Sequence, residues 1–329
     1  MRVVAIDVGN STVKMTYDSP SGRGVEHAMF PSLVERFNFD ILNEAELERI
    51  SRDLVEAAGS KYIVGESVRV QGKTENHAGL LEEWVTKPEY EALLRKAARE
   101  VGAKRNEPLF VVVGLPVVQF DRFKGHLQEL TQNVFGDEAH VVVMQQPDAL
   151  FFHALCDWSG QVTNETLLDE ALTVILDIGY FTSDFVAYKG SRYVERAAWR
   201  GDGTFNAVTY IMNRMRQEGV LMSELEAEDF MLNGFFLRRG KKIKNDALID
   251  DAISSYANDL INSMERACGY YLDHMSKFLV SGGGAALLEP YLKKQYPMIE
   301  MIHSDKDDSP RFVVSEGYYR YGKMKQNKM

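Results

Sequence analysis

Cysteine is scarce in this sequence, which has only Cys156 and Cys268 among its 329 residues. The two lie far apart, and neither has a second cysteine at the spacing of a metal ligand. A disulfide framework and a structural zinc site are therefore disfavoured. Each cysteine falls in a helical pattern among apolar neighbours, where we expect it to act as a small buried hydrophobe. This cysteine usage is typical of a protein in the reducing cytoplasm.

Long apolar runs are also missing. The longest, residues 109–118, is well short of the roughly 20 residues that a membrane helix needs, and Gly114 and Pro116 interrupt it. Met1 and Arg2 lead directly into a strand pattern, which leaves no room for the apolar region of a signal peptide. We expect a soluble, cytoplasmic protein with no membrane partner.

An excess of positive charge is absent as well. Lys and Arg number 38 against 48 Asp and Glu, so the net charge is −10. No basic block is long enough to follow a phosphate backbone, and we expect no direct contact with nucleic acid.

The remaining composition is that of an ordinary folded protein. Apolar residues make up 45% and charged residues 26%, values that fit neither a disordered nor a fibrous chain. At roughly 150 residues per domain, the length predicts about two domains or one duplicated domain.

Two segments, residues 3–15 and 174–186, repeat one pattern half a chain apart. Each reads as an apolar strand, a tight turn of the form DxGxxT, and a second strand with alternating side chains. One such match is common by chance, whereas two on strand–turn–strand patterns indicate a duplicated hairpin. The matched positions, each 170 residues apart, are Asp7 with Asp177, Gly9 with Gly179, and Thr12 with Thr182.

Helices and strands alternate after each hairpin, which predicts a layered α/β fold with some parallel pairing. No linker separates the two halves, and residues 240–246 read as a loop between helices. The predicted helices are 44–58, 87–101, 118–134, one opening at Pro147, 204–216, 246–275 and 287–294; the further predicted strands are 62–64, 109–113, 140–144 and 278–280.

The first turn carries groups that bind phosphate. Asn10, Ser11 and Thr12 are small and follow a glycine, so their backbone N–H groups can point at one anion. The two hydroxyls and the ammonium group of Lys14 would add donors. Asp7 ends its strand, where α/β sheets place ligands, and can hold a hydrated magnesium ion. The alternative is that Asp7 caps the turn and Lys14 is solvated.

The second hairpin is expected to face the first across a cleft, which would bring Asp177 opposite Asp7. Two carboxylates in one site repel each other unless a cation neutralises them, so the pair suggests a metal–nucleotide ligand. The alternative is that Asp177 and Asp184 satisfy turn amides and never meet Asp7.

A triple glycine, Gly282, Gly283 and Gly284, follows a predicted strand and precedes a predicted helix. A backbone without side chains beside a helix N-terminus can receive an adenine ring or a phosphate. The same residues read equally well as a flexible connection.

These motifs occur in a particular order: IDVGNSTVK, VMQQPDAL, LDIGYFTSDF, LVSGGGAAL and the terminal RFVVSEGYYRYG. The ordered set resembles the phosphate 1, connect 1, phosphate 2, adenosine and connect 2 elements of the actin-like ATPases. The short length, the VVGLPV strand and the lack of a chaperone domain make the chain most similar to the ParM/StbA group of plasmid-segregation actins. Each motif alone is a weak signal, whereas the ordered set spans nearly the whole chain.

The resemblance implies an actin-like fold of two duplicated RNase H-like domains that flank a nucleotide cleft. Residues 1–157, completed by 305–329, would form domain I, and residues 158–304 would form domain II. The cofactors would be ATP, or GTP, and Mg²⁺, with Asp7 and Asp177 beside the metal. By the same resemblance the nucleotide would contact Asp7, Gly9, Asn10, Ser11, Thr12, Lys14, Gly179, Tyr180, Phe181, Thr182, Gly282, Gly283 and Gly284, and the catalytic pair would be Gln146 and Asp177.

The chain departs from the family pattern at two places. Bulky Tyr180 and Phe181 follow Gly179 where relatives commonly have glycines, which leaves open how closely that turn approaches a γ-phosphate. Gln146 stands where several relatives have a glutamate, and a neutral amide can orient a water but cannot take its proton, so slow hydrolysis is expected. The neighbouring Gln145 is the alternative for this position.

The resemblance thus implies an ATPase that forms filaments with copies of itself and moves plasmid DNA through a separate DNA-binding adaptor on the plasmid centromere. Two alternatives stay open. One is a small-molecule kinase, such as a sugar kinase, on the same superfold, because fold does not determine function. The other is a nucleotide-dependent switch protein that does not polymerise.

Overall fold

The structure, a computed structural model, describes residues 1–37, 48–70, 83–306 and 310–329. It consists of two compact units. Unit 1 comprises Met1–Glu165 and His303–Met329, and unit 2 comprises Thr166–Ile302.

Both units are built from strands and helices in alternation. In chain order the strands are β1 (Arg2–Val8), β2 (Thr12–Asp18), β3 (Val25–Pro31), β4 (Val34–Arg36), β5 (Leu54–Ala57), β6 (Ser60–Val64), β7 (Leu109–Leu115), β8 (His140–Gln145), β9 (Leu172–Ile178), β10 (Thr182–Lys189), β11 (Arg192–Tyr193), β12 (Trp199–Asp202), β13 (Phe236–Arg238), β14 (Lys241–Ile243), β15 (Lys277–Ser281) and β16 (Ile299–Met301). The helices discussed below are α1 (Glu66–Val70), α2 (Pro88–Glu100), α3 (Val117–Phe135), α4 (Gln146–Leu155), α5 (Phe205–Gln217), α6 (Glu224–Asn233), α7 (Asp246–His274), α8 (Ala285–Gln295) and α9 (Val313–Gln326).

The two main sheets share one topology. In unit 1 the strand order is β3-β2-β1-β7-β8, with β1, β2 and β3 antiparallel and β1, β7 and β8 parallel. In unit 2 the order is β11-β10-β9-β15-β16, again an antiparallel hairpin beside two parallel strands, and β12 pairs with the outer side of β10. The predicted duplication of the hairpin is confirmed, and it extends to the whole sheet.

The parallel strands form the centre of each core. Strand β7 reads LFVVVGL and is buried along its full length, as is typical of a central parallel strand covered on both faces. In unit 1 the C-terminal helix α9 packs against α4 and β1, with Tyr318 and Tyr319 buried. A Cβ at Gly317 would lie 1.9 Å from the Ala149 carbonyl oxygen, so glycine is needed for this close approach of α9 to α4.

Most predicted elements are confirmed within a few residues, including the long helix α7, whose first turn is capped by the Asn245 side chain accepting from the Leu248 N–H. The predicted helix 44–58 is wrong at its C-terminal end, where Leu54–Ala57 forms strand β5. Ala58 and Gly59 have φ of 46° and 71°, so a tight turn returns the chain into β6. Pairing with β6 therefore overrides the helical spacing of the apolar residues. Residues 44–47 of this prediction lie outside the described residues.

A second correction concerns residues 240–246, predicted as a loop. Strands β13 and β14 form a hairpin there, closed by Arg239 and Gly240, both with positive φ. In the described ranges no helix is long and apolar enough to cross a membrane.

Candidate functional site

The first hairpin turn, between β1 and β2, has a fixed backbone. The Ser32 hydroxyl donates to the Gly9 carbonyl at 2.5 Å, and the Ser32 N–H donates to the Ser11 carbonyl at 2.9 Å. A Cβ at Gly9 would lie 2.8 Å from the Thr12 carbonyl oxygen, a distance that no ordinary side chain tolerates. Gly9 and Ser32, the residue that follows β3, therefore fix the backbone conformation of this turn.

Asp7 is buried beside this turn and has two polar neighbours. Lys14 lies opposite it in the β1–β2 register, with its Nζ 3.4 Å from Asp7 Oδ2. The Gln146 side-chain amide donates to Asp7 Oδ1 at 3.2 Å. These groups meet because β1 and β8 are parallel strands of one sheet, so the carboxyl end of β1 and the start of α4 share an edge. The structure thus brings together three residues that the sequence analysis singled out.

Gln145 and Gln146 occupy different environments. Gln145 is the last residue of β8, and its Oε1 is buried with no hydrogen-bond partner among the described residues. Gln146 opens α4 and contacts Asp7. The geometry favours Gln146 over Gln145 as the residue beside the first hairpin.

The second turn, between β9 and β10, repeats the geometry of the first. The Gly179 N–H donates to the Thr182 carbonyl at 2.8 Å, and a Cβ at Gly179 would again lie 2.8 Å from that oxygen. The first amides of α5 hold this turn, since the Thr204 N–H donates to the Gly179 carbonyl at 3.1 Å and the Phe205 N–H to the Tyr180 carbonyl at 2.8 Å.

The two hairpins differ in the residue that lies across from the aspartate. Asp7 faces Lys14, whereas Asp177, which is half-buried, faces Asp184 in the β9–β10 register. Asp184 is buried, and its carboxylate binds Arg200 Nε of β12 at 3.0 Å. Burial raises the pKa of Asp184, and the Arg200 guanidinium and the Thr182 hydroxyl oppose that rise.

Arg200 is a residue that the sequence analysis missed. It supplies the positive charge that Lys14 supplies in the first hairpin, but it does so from a third strand 16 residues after Asp184. Its Nη2 is buried and has no hydrogen-bond partner among the described residues. The sequence around Arg200 does not indicate that β12 pairs with β10. Only this pairing brings the arginine to Asp184.

The bulky residues of the second turn pack within unit 2. The rings of Tyr180 and Phe181 lie 4.9 Å apart between centroids, and each contacts the ring of Phe205 at the start of α5. The Tyr180 hydroxyl donates to Glu224 Oε1 at 2.8 Å. Both side chains thus have a structural role, which ties the turn to α5 and α6.

The three glycines after β15 have different surroundings. Gly282 has φ of +101°, and a Cβ there would lie 2.5 Å from Asp177 Oδ1. A Cβ at Gly284 would lie 2.3 Å from Thr204 Cγ2, whereas one at Gly283 would meet no atom within 4 Å. The loop therefore packs directly on Asp177, and Gly283 is the position with open space beside its backbone.

The carboxylates of the described residues form no cluster of three or more groups that could cage a metal ion. The polar groups at this position are the Asp7 carboxylate, the Gln146 amide and the Lys14 ammonium group. The single carboxylate fits a magnesium ion that keeps waters and binds phosphate oxygens, since Mg²⁺ commonly takes only one or two protein carboxylates. The ammonium group is not a metal ligand and suits a phosphate oxygen instead.

Comparison with known proteins identifies the families that the two halves of the chain match. Residues 5–146 match the family model "Actin like proteins N terminal domain", and residues 175–294 match "Archaeal actin homologue MreB-like, C-terminal". Comparison with curated proteins found no match.

Three solved structures illustrate the likeness of fold. A ParM of a 15-stranded filament from Clostridium botulinum superposes with a TM-score of 0.77 at 17% identity, over 98% of this chain and 99% of that one. The archaeal actin homologue Ta0583 gives 0.74 at 17% identity, over 97% and 98% of the two chains. Its complex with ADP gives 0.71 at 16% identity, over the same shares. The two family matches together span most of the sequence, and the chain belongs to the actin-like proteins.

Proposed function

We propose that this chain is a filament-forming actin-like protein that binds ATP, or GTP, with Mg²⁺ and hydrolyses it. The observation that carries the proposal is the contact of Gln146 and Lys14 with the buried carboxylate of Asp7. These contacts support a site in which the first hairpin turn would bind phosphate beside a side chain able to orient water. The ParM and archaeal structures, one of them a filament and one an ADP complex, support the same activity.

The two hairpins would have different roles in binding and hydrolysis. The turn amides of the first hairpin, with Ser11, Thr12 and Lys14, would bind the phosphates. The Gln146 amide would orient the attacking water, and Asp177 or a water chain would receive its proton. Magnesium, held near Asp7 and Asp177, would neutralise the charge that develops on the phosphate oxygens.

We further propose that the filament moves plasmid DNA in the cytoplasm through a DNA-binding adaptor on the plasmid centromere. The acidic net charge of −10 supports an indirect link, because an acidic protein is repelled by the phosphate backbone. The resemblance of the ordered motifs to plasmid-segregation actins, together with the likeness of fold to ParM structures, supports the same role.

A pelleting assay tests the proposal. The protein is centrifuged with Mg–ATP, with Mg–GTP, and without nucleotide, and phosphate release is measured in parallel. We expect pelleting that depends on nucleotide, together with slow phosphate release. Nucleotide hydrolysis without any pelleting would favour a switch protein, and transfer of phosphate to a sugar in the same mixture would favour a kinase.

A further inference from the structure

The most unusual surface of this acidic protein is a small basic hairpin, residues 236–244, in unit 2. Its two strands are joined by a turn of two residues, and every residue from 237 to 244 is exposed. Between 238 and 244 the sequence RRGKKIK carries five cations and no acid. Leu237 and Ile243, both exposed, add apolar area to the same hairpin.

Among the residues that the structure describes, no acidic group compensates the cations of this hairpin. In the described ranges none of them forms a salt bridge, and the only charged group among them with a close contact is Lys242 Nζ, which lies 4.1 Å from the centroid of the Phe235 ring. Arg238 and Lys241 lie directly opposite each other in the strand register. Like charges at such positions destabilise a hairpin, so the hairpin by itself is electrostatically unfavourable.

The turn adds a second unfavourable feature. Arg239 has φ of 50°, a left-handed conformation that favours glycine or asparagine. A long charged side chain is therefore held at the tip of the hairpin despite a backbone cost. A partner with negative charge would relieve the repulsion and would use the guanidinium of Arg239.

The rest of this chain has the complementary charge. Since the whole chain carries −10 and the hairpin carries +5, the remaining residues carry −15. That body attracts the hairpin of another copy, whereas it repels a nucleic acid or an anionic membrane that approaches the same hairpin. We infer that the basic hairpin binds the acidic surface of a second copy of this chain.

The sign of the charge also limits which surfaces can meet. Two hairpins cannot pair with each other, because five cations would face five cations. The contact must join the hairpin of one copy to an acidic surface of the next. Where the two copies do not make this contact reciprocally, it is heterologous and propagates into a ring or a filament. The inference therefore rests on the proposed function and names the surface through which the filament grows.

The test compares two doubly substituted proteins that change the net charge equally. One carries Lys241→Glu and Lys244→Glu in the hairpin. The matched control carries Lys104→Glu and Arg105→Glu, which reverse two exposed cations of unit 1. Self-association of each protein and of the wild type is measured by sedimentation velocity, with and without Mg–nucleotide, at several salt concentrations.

We expect the hairpin variant to associate at least about tenfold more weakly than the wild type and with less dependence on salt. The control should associate like the wild type. Thermal unfolding of the hairpin variant should not be impaired, since Lys241→Glu places a carboxylate opposite Arg238. If the hairpin had only a structural role, the hairpin variant would lose thermal stability as well as association.

A mixing experiment tests the direction of the contact. The hairpin variant retains the acidic surface, so it should add to one end of a growing polymer and block further growth there. Added at about one part in ten, it should shorten wild-type filaments several-fold, as expected for a heterologous contact. The control variant should not shorten them.

Each outcome decides one question. The inference is overturned if the hairpin variant associates as strongly as the wild type, or if the control loses as much association as the hairpin variant. It is also overturned if the hairpin binds duplex DNA or anionic vesicles and its substitution does not change association. Wild-type association that depends on the hairpin but stops at a dimer supports the inference and overturns the proposed filament. A wild type that stays monomeric under all conditions overturns both.

Discussion

The Asp7 carboxylate is buried in unit 1 between a cation and an amide, and this environment determines the effect of its loss. Without the carboxylate, Lys14 and Gln146 lose their common partner. A magnesium ion bound with phosphate would lose its protein anchor in unit 1 as well. Asp177, packed beside Gly282, has the matching position in unit 2.

We therefore expect Asp7→Ala and Asp177→Ala each to reduce Mg–nucleotide hydrolysis at least about tenfold, which corresponds to about 1.4 kcal/mol of transition-state stabilisation. Asp177→Ala should spare nucleotide binding more than Asp7→Ala, because Asp177 is proposed to act on the attacking water. Phosphate release and nucleotide titration measure the two effects. Near-normal hydrolysis in both variants would remove the two-hairpin site.

The cysteines give a second prediction at this scale. Cys156 and Cys268 are both free and buried, and burial raises the pKa of both thiols, that of Cys268 to about 11. Little thiolate forms at neutral pH, so a thiol reagent should label the native protein slowly and leave its activity intact. Fast labelling of the native protein with loss of activity would contradict a structural role.

At the scale of elements, the C-terminal helix α9 is attached to unit 1 by a buried charged group. Glu316 of α9 contacts His153 Nε2 at 2.8 Å, His27 Nε2 at 3.1 Å and the Ser304 hydroxyl at 2.5 Å. Burial alone would raise the pKa of this carboxyl, but the contacts with His153, His27 and Ser304 outweigh burial and hold the pKa at about 2. One carboxylate thereby joins β3, α4 and α9.

This network predicts a stability that falls in acid. The folded pKa of Glu316 is below its ordinary value of 4.5, so its contribution is complete above about pH 4.5 and is lost as the pH falls toward 2. Burial lowers the pKa of His153, and since unfolded histidine binds protons near its ordinary pKa of 6.5, this group also disfavours the folded state below that pH.

Glu316→Gln should therefore lower the free energy of unfolding at neutral pH, by an amount on the order of 3 kcal/mol, and should flatten its decline in acid. Denaturant unfolding between pH 7 and pH 3 measures both effects. Glu289→Gln is a suitable control, because Glu289 forms an ordinary helix-surface pair with Lys293 and its loss should cost well under about 1 kcal/mol. Equal effects in the two variants would exclude a special role for Glu316.

At the scale of the whole molecule, hydrolysis and assembly are proposed to be coupled, and Gln146 is the residue that separates them. Gln146→Ala removes the amide beside Asp7 but leaves the phosphate-binding turn in place. We expect unchanged nucleotide affinity, turnover slowed at least about tenfold, and filaments that persist longer after limiting ATP, because the ATP state would favour the polymer.

Light scattering with parallel phosphate release measures this coupling, and Gln145→Ala is the matched control on the neighbouring residue. If filaments of Gln146→Ala decay as fast as those of the wild type while hydrolysis is slow, filament decay is not controlled by hydrolysis. Unchanged hydrolysis in Gln146→Ala, with slowed hydrolysis in Gln145→Ala, would move the assignment to Gln145.

The sequence by itself determined the features that depend on neighbouring residues. The DxGxxT pattern predicts both hairpins, because a glycine that avoids the next carbonyl and a strand with alternating side chains are local requirements. The sequence likewise predicts the start of α4, because Pro147 suits the first turn of a helix. The order of these motifs sufficed to indicate the actin-like family.

Only the tertiary structure decided which distant residues meet. Strand β5 forms in a segment whose apolar residues have the spacing of a helix, because β6 offers backbone hydrogen bonds that the local sequence does not show. Arg200 reaches Asp184 through a third strand, and Glu316 finds His153 more than 160 residues earlier in the chain. Gln146, and not Gln145, contacts Asp7 because parallel strands end at one edge of a sheet. Such contacts depend on how the sheet and helices pack, which no local spacing records.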